Sequence, residues 1–169
     1  MLRAQRRPEE AISEYETVIA FNRNHVNALA ANSWCDLYTG SIEQVILVVK
    51  QAIRLSPRDH LIGIWYQRIG LVHLLQSRTD EAILWLEKAR STNPALAPVH
   101  ARLASAYALK GETVRAAAEL AEARRLTHDD RYSSMARLQA VGYFGVPKTR
   151  ALFEATYFVG LSRAGMPEE

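Results

Sequence analysis

The stretch AILWLEKARSTNP at residues 82–94 decides the fold, because its order of residue types recurs along the chain. Ala82 opens the pattern, the large apolar Leu86 and the small Ala89 follow, and Pro94 ends it. Spacings of four and three residues keep these side chains on one face of a helix. The matching sets are Ala11, Tyr15, Val18 and Arg23; Val45, Val49, Ala52 and Pro57; and Ala116, Leu120, Ala123 and His128. Their first residues lie 34, 37 and 34 positions apart, so the sequence predicts a repeated helix.

A second helix precedes each of the last three sets. Gly40, Ser77 and Gly111 each stand five residues before the opening Ala or Val, where a tight turn would join two antiparallel helices. Upstream of the turns, small residues such as Gly70 would let the two helices of a hairpin approach closely. Repeat two fits this pattern less well, because Asn32 and Asp36 stand where apolar residues are usual.

The helix ends are also marked in the sequence. Pro57 and Pro94 predict the ends of two second helices, since proline has no N–H and disfavours helix in the residue before it. Ser41 to Gln44 predicts a capping box at a helix start. One spacing is 37 residues instead of 34, and its three extra residues predict a longer connection or helix start near residues 59–61.

The 34-residue period, with its Ala, large, small and Pro positions, resembles the tetratricopeptide repeat. That resemblance implies an all-α solenoid of antiparallel helical hairpins and a function in binding other proteins. We therefore expect about three and a half repeats in residues 1–128, the first truncated, and C-terminal helices that cap the solenoid in residues 129–169. The truncated first repeat leads us to expect a piece cut from a longer chain, with a naturally short protein as the alternative.

In tetratricopeptide proteins the first helices of successive repeats line a concave groove, which implies a binding site here. Arg68 and Arg102 are equivalent by the 34-residue period and could grip a carboxylate together, the alternative being that each pairs with a neighbouring acid on the surface. Positions that grip chaperone tails in one variant of the family match only at Arg68, so we do not expect that ligand. The register predicts these groove residues: Asn27, Trp34, Tyr38, Gln67, Arg68, Leu71, Leu75, Arg102 and Ser105.

The C-terminal segment contains two further predicted helices. Asp129 and Asp130 could cap a short helix that runs through Ala140, and Pro147 is well placed to start a final apolar helix that ends at Gly165. The final helix could cap the last repeat, fold into the groove or make a dimer contact. Self-association would use Phe153, Tyr157 and Phe158.

The last residues, GLSRAGMPE at 160–168, resemble an ending common to one bacterial group of proteins. These are tetratricopeptide regions at the C-terminus of class III adenylate or guanylate cyclase-like proteins and of winged-helix transcriptional regulators. LSPRD at 55–59 and NPALAP at 93–98 resemble their connections as well. The resemblance implies a regulatory or scaffolding arm whose output domain lies upstream, and it transfers no cyclase residue to this chain.

Composition argues against several other functions. The net charge of +3 comes from scattered arginines interspersed with acids, so we expect no nucleic-acid binding by this segment. One cysteine, Cys35, and the lack of a signal peptide or membrane span indicate a cytoplasmic protein. The five histidines lack metal-ligand spacing, and neither a nucleophile motif nor a phosphate loop is present. We expect no catalytic residue, metal or cofactor, and a protein or peptide partner instead.

Overall fold

The computed structural model describes residues 8–169, which fold into helices joined by short connections. No strand occurs within this range, as the composition predicts. The helices are α1 (Pro8–Phe21), α2 (Val26–Thr39), α3 (Ile42–Leu55), α4 (Ile62–Leu75), α5 (Thr79–Thr92), α6 (Ala97–Lys110), α7 (Thr113–Leu126), α8 (Met135–Val141), α9 (Pro147–Phe153), a π-helical turn (Glu154–Phe158) and α10 (Val159–Arg163).

Three antiparallel hairpins form the solenoid: α2 with α3, α4 with α5, and α6 with α7. The predicted turn residues are confirmed, because the backbone is left-handed at Gly40 (φ +96°), Ser77 (φ +59°) and Gly111 (φ +89°). A left-handed residue ends a helix and reverses the chain, and glycine adopts this conformation at least cost. Repeat two forms a regular hairpin despite Asn32 and Asp36, since the Asn32 amide donates to the Asp36 carboxylate at 3.3 Å.

Close packing within the hairpins follows the predicted pairing of small and large residues. A Cβ added at Gly70 of α4 would lie 2.6 Å from Cγ and 3.2 Å from the backbone N of Leu86 of α5. Only glycine permits this approach. Leu86 and Tyr107 are completely buried, as their places in the pattern predict.

The extra residues of the 37-residue spacing lie mainly between α3 and α4. This connection comprises residues 56–61, against residues 22–25 and 93–96 for the corresponding connections. The Asp59 carboxylate accepts from the backbone N–H of Leu61 and from the Ser56 hydroxyl, which holds the longer connection in place.

Two predicted caps are wrong. Ser41 precedes α3, but its side chain makes no capping hydrogen bond, because its ψ of 44° is not the extended geometry of a capping residue. The second wrong cap is that of the short helix α8, which lies at Ser134 rather than at Asp129 or Asp130. Ser134 is extended and accepts from the Arg137 N–H, whereas Asp129 binds Arg131 and Asp130 binds Arg137.

The C-terminal helix, defined as α9, the π-helical turn and α10, does not extend the solenoid as a further repeat. It packs against α2, α4 and α6, the first helices of the three hairpins. The tail after it is held by α8, whose Met135 and Ala136 N–H groups donate to the Pro167 and Glu168 carbonyls at 2.8 and 2.9 Å. Among the described residues, no helix is long and apolar enough to cross a bilayer.

Candidate protein-binding groove

The C-terminal helix lies across the face formed by α2, α4 and α6. At its start, the Val146 N–H donates to the Tyr38 carbonyl at 2.9 Å and the Thr149 hydroxyl donates to the Leu37 carbonyl at 3.2 Å. Further along, the Ser105 hydroxyl of α6 donates to the Tyr157 carbonyl at 3.0 Å. The C-terminal helix therefore contacts the first helices of all three hairpins, the face on which the sequence predicts the groove.

Apolar packing holds the C-terminal helix in this position. Phe153, Tyr157 and Phe158 are 2%, 5% and 6% exposed, and they form an edge-to-face aromatic cluster with Phe144. Burial raises the pKa of Tyr157 well above its ordinary value. Self-association through these three side chains stays a prediction, and it would require the helix to leave the groove.

Gly160 makes the closest approach between the C-terminal helix and α6. A Cβ at this position would meet the Ser105 hydroxyl, the Ser105 carbonyl oxygen at 2.5 Å and the Ser105 Cα at 2.8 Å. The predicted groove residue Ser105 therefore contacts a segment of its own chain. Leu71 and Leu75 are also completely buried, and Gln67 is 7% exposed.

The beginning of the groove remains open. A recess of about 400 Å³ separates the first turns of α2 and α4, and it is bordered by the long α3–α4 connection. The predicted residues Asn27 and Arg68 line it. Ala30, Ala31 and Ile64, which stand at the positions that grip chaperone tails in one variant of the family, line it as well. Sequence reasoning missed three further lining residues as groove contacts, although the long spacing had pointed to the connection: His60, Leu61 and Trp65.

Arg68 forms part of the floor of this recess. It is 4% exposed, and its Nη1 donates to the Ala30 carbonyl and, at 2.7 Å, to the Ser33 hydroxyl. Its guanidinium lies 4.8 Å from the ring centroid of Trp34, which in turn packs edge-on against Tyr38. Arg68 thus joins α4 to α2, and it has these partners within the chain.

Arg102 occupies the equivalent position on α6 but has different surroundings. Ser33, which accepts from Arg68, is replaced one repeat later by Gly70, which has no hydroxyl. The Nη1 of Arg102 is buried without a hydrogen-bond partner in the described part of the chain. Burial raises the pKa of the nearby phenols Tyr132 and Tyr157, an effect that the Arg102 charge opposes. A buried N–H without an acceptor is costly, so Arg102 is suited to bind an anionic group by donating a hydrogen bond to it.

The two predicted buried histidines differ in their partners. His100 is 5% exposed, with Nδ1 2.6 Å from the Glu119 carboxylate and Nε2 2.8 Å from the Pro94 carbonyl. The hydrogen bond to Glu119 raises the pKa of His100. His73 is also buried, and burial lowers its pKa. Cys35 is buried, and no cluster of three or more potential metal ligands occurs in residues 8–169.

Solved structures share the architecture of this chain. MamA 41-end from Desulfovibrio magneticus RS-1 superposes with a TM-score of 0.66 at 17% identity, covering 96% of this chain and 88% of that one. TTC0263, a thermophilic TPR protein in Thermus thermophilus, gives a TM-score of 0.66 at 20% identity, covering 96% of this chain and 93% of that one. The fold is a tetratricopeptide-type α-solenoid.

These identities establish similarity of fold alone. No protein-family model matches the sequence, and no curated protein sequence matches it. The functional argument therefore rests on the surfaces of this chain.

Proposed function

We propose that this chain is a protein-interaction module that binds a partner at the open beginning of its concave groove. The observation that carries the proposal is that the groove already holds a helix of its own chain beside an unfilled recess of about 400 Å³. Ala31 and Ile64 give the recess an apolar, half-buried lining, and Asn27 and His60 place exposed polar groups around it. An apolar recess with a few polar groups at its edge is typical of a binding site.

We propose that the partner extends beyond the recess and places a carboxylate at Arg102 of α6, which is not one of the residues that line the recess. This side chain has a buried Nη1 without an acceptor, whereas the Arg68 guanidinium is anchored on Ala30 and Ser33. A charge-assisted hydrogen bond from Arg102 would supply both affinity and orientation. The two equivalent arginines would then have different roles, Arg68 in joining α2 to α4 and Arg102 in contacting the partner.

The wider setting of the module follows from the resemblance of residues 160–168. We propose a regulatory or scaffolding arm of a bacterial cyclase-like signalling protein in the cytoplasm, with a winged-helix regulator as the alternative output domain. Reading the native gene around this segment, and sizing the endogenous protein by immunoblot, tests the setting. A continuous frame into such a domain supports it, and a 19 kDa band contradicts it.

Capture of cellular proteins by the immobilised chain, quantified by mass spectrometry, tests the binding surface. Ile64→Glu introduces a charge into the recess and should remove the partners that bind there, while Leu84→Glu on the opposite face should retain them. Leu84 is the matched control because it is an apolar residue, 64% exposed, on the second helix of the same hairpin. Circular dichroism confirms that both variants are folded.

A third variant, Arg102→Ala, tests the proposed carboxylate contact. It should weaken capture without changing the oligomeric state of the free chain. If Ile64→Glu captures the same proteins as the native chain, the recess is not the binding site. If Arg102→Ala does so, the proposed carboxylate contact is wrong.

A further inference from the structure

Two lysines converge on one aromatic ring at the junction of α3 and α5. The Nζ of Lys50 in α3 lies 5.7 Å from the ring centroid of Trp85 in α5, and the Nζ of Lys88 lies 5.2 Å from the same ring. Lys88 also lies 4.2 Å from the ring centroid of Tyr66 in α4, and the two rings are 5.7 Å apart. An aromatic face attracts an ammonium group, so these contacts hold both charges in one place. These four residues form the lysine–tryptophan site.

Neither ammonium group of this site is neutralised within residues 8–169. Lys110 forms ion pairs with two carboxylates, whereas Lys50 and Lys88 have neither a carboxylate nor a hydrogen-bond acceptor in this range. Both side chains are exposed. Two ammonium groups that are held at one ring and lack a counter-charge are suited to bind an anionic group.

The α4 side of the site is also electropositive. His73 lies two helical turns beyond Tyr66 on the same face of α4, is 8% exposed, and has a buried Nδ1 without a hydrogen-bond partner in the described chain. Burial lowers the pKa of His73, and the charges of Arg78 and Lys50 lower it further. Glu81 opposes them, but by less than Arg78 contributes. Positive charge therefore outweighs negative charge beside this ring.

Two exposed leucines flank the lysines. Leu47 lies three residues before Lys50, and Leu84 lies four residues before Lys88, so each leucine is one helical turn from a lysine. The leucines are 65% and 64% exposed, and they are equivalent by the 37-residue spacing. This surface therefore presents apolar area beside positive charge.

The repeat pattern does not require this arrangement. One repeat later, Lys50 corresponds to Glu87 and Lys88 corresponds to Glu122, so both positive charges are replaced by negative ones. The lysines are therefore not explained by the packing that the repeats share.

We propose that the lysine–tryptophan site and its flanking leucines dock an acidic segment of a partner protein, whose carboxylates bind the lysines and whose apolar side chains pack on the leucines. A second copy of this chain is a poor complement, because its net charge is +3 and its sequence contains no run of acidic residues longer than two. Nucleic acid fits less well, because bases stack on free aromatic faces and two ammonium groups already lie over Trp85. The surface lies on α3 and α5, apart from the recess between α2 and α4.

A set of peptides tests the charge complementarity. The probe is a short fluorescein-labelled peptide of glutamates with two leucines, and the matched controls replace either the glutamates by glutamine or the leucines by glycine. Fluorescence anisotropy with the full chain should give an affinity for the probe at least about tenfold above that for either control. Added salt should weaken the binding, since exposed charges are screened.

Variants of the two lysines locate the binding. Replacing Lys50 and Lys88 by glutamine should weaken binding of the probe by at least about tenfold. Replacing both by arginine should retain it, because arginine keeps the charge and binds carboxylates. Replacing Lys110 and Arg163 by glutamine changes the net charge equally and should leave binding unchanged. All four side chains are exposed, so these variants should fold normally.

The indole N–H signals in NMR spectra show where the probe binds. The signal of Trp85 should shift on titration with the probe, whereas that of Trp65, which lines the recess, should not. Leu84→Glu, the control for the recess, should lose the probe and retain the recess partners, and Ile64→Glu should do the reverse. Failure of this proposal and failure of the groove proposal are therefore recognised separately.

Several outcomes would overturn the proposal. These are equal affinity for the glutamine peptide, full binding by the double glutamine variant of Lys50 and Lys88, and a shift of Trp65 in place of Trp85. An equal loss of binding in the Lys110 and Arg163 control would overturn it too, since the attraction would then be general. Tighter binding of a single-stranded oligonucleotide than of the probe, lost in the same lysine variant, would instead assign the site to nucleic acid.

Discussion

Replacing Gly160 by alanine should loosen the C-terminal helix from the groove. The added Cβ would meet the hydroxyl of Ser105, its carbonyl oxygen at 2.5 Å and its Cα at 2.8 Å. The hydroxyl can rotate, but the carbonyl and Cα belong to the backbone of α6 and cannot move without shifting that helix. The C-terminal helix must therefore move away from α6, which would weaken the hydrogen bond from Ser105 to the Tyr157 carbonyl.

The size of the effect follows from two opposing contributions. Overpacking at a close contact costs about 1–3 kcal/mol, and a clash with backbone atoms belongs at the upper end of this range. Alanine regains about 1 kcal/mol of helix propensity over glycine. We expect the free energy of unfolding to fall by about 1–2 kcal/mol.

Urea unfolding measures this loss, and hydrogen exchange locates it. The amides of α10 should exchange faster in Gly160→Ala, while those of α4 and α5 should not change. Val159→Ala is the control, because the neighbouring Val159 is 36% exposed and its truncation should change stability by less than about 0.5 kcal/mol. Adding Ser105→Ala should not restore the loss, since it removes the hydroxyl and leaves the carbonyl and Cα in place. If Gly160→Ala were as stable as the native chain, the helix would not be seated against α6 as described.

Three further changes have expected outcomes in urea unfolding. Ser77→Gly should raise the free energy of unfolding by about 0.5–1 kcal/mol, because Ser77 has a φ of +59° that glycine adopts without strain; a loss of stability would contradict the turn geometry. Burial, with the Glu16 charge, raises the pKa of Asp36 from 3.8 to about 6, so the native chain should lose stability as pH rises from about 4 to 6. Asp36→Asn should remove this loss, and the variant should be more stable than the native chain at pH 7 by about 1 kcal/mol. This figure is discounted because the carboxyl is only half-buried. Equal pH profiles of the variant and the native chain would refute the assignment. The pKa of His100 is raised, so the stability that His100 contributes is complete below pH 6.5 and is lost as pH rises through the higher folded value. His100→Gln should flatten the dependence of the free energy of unfolding on pH above pH 6.5, and an unchanged slope would exclude His100 as the source of that dependence. The charged groups around the ring are Glu119, Glu122 and Arg90.

The hairpins could be predicted from the sequence because their determinants are local and repeat. The positions of Gly40, Ser77 and Gly111 set the turns, and the spacing of small and large residues sets the packing within each hairpin. Repeat two shows why the pattern tolerates exceptions. Asn32 and Asp36 bind each other, so one polar pair replaces an apolar contact without changing the hairpin.

The docking of the C-terminal helix could not be predicted in the same way. Its apolar residues Phe153, Tyr157 and Phe158 indicate that one face is buried, but a cap, a groove and a dimer interface would bury such a face equally well. The closest contact of the helix is the approach of Gly160 to Ser105, which joins residues 55 positions apart without any sequence pattern.

The roles of the two equivalent arginines required the structure for a related reason. The period predicts that Arg68 on α4 and Arg102 on α6 share a face. It does not predict that Ser33 supplies an acceptor for Arg68 while Gly70 supplies no hydroxyl for Arg102. A difference of one hydroxyl group in the preceding repeat separates a structural arginine from one suited to a ligand.

The size of the recess limits the kind of partner that it can hold. It measures about 400 Å³ and lies between the first turns of α2 and α4, so it suits a short segment with one or two inserted side chains. An α-helix, about 10–12 Å across with its side chains, is too wide for a recess of this volume. We therefore expect an extended segment of the partner, and not a helix, to occupy it.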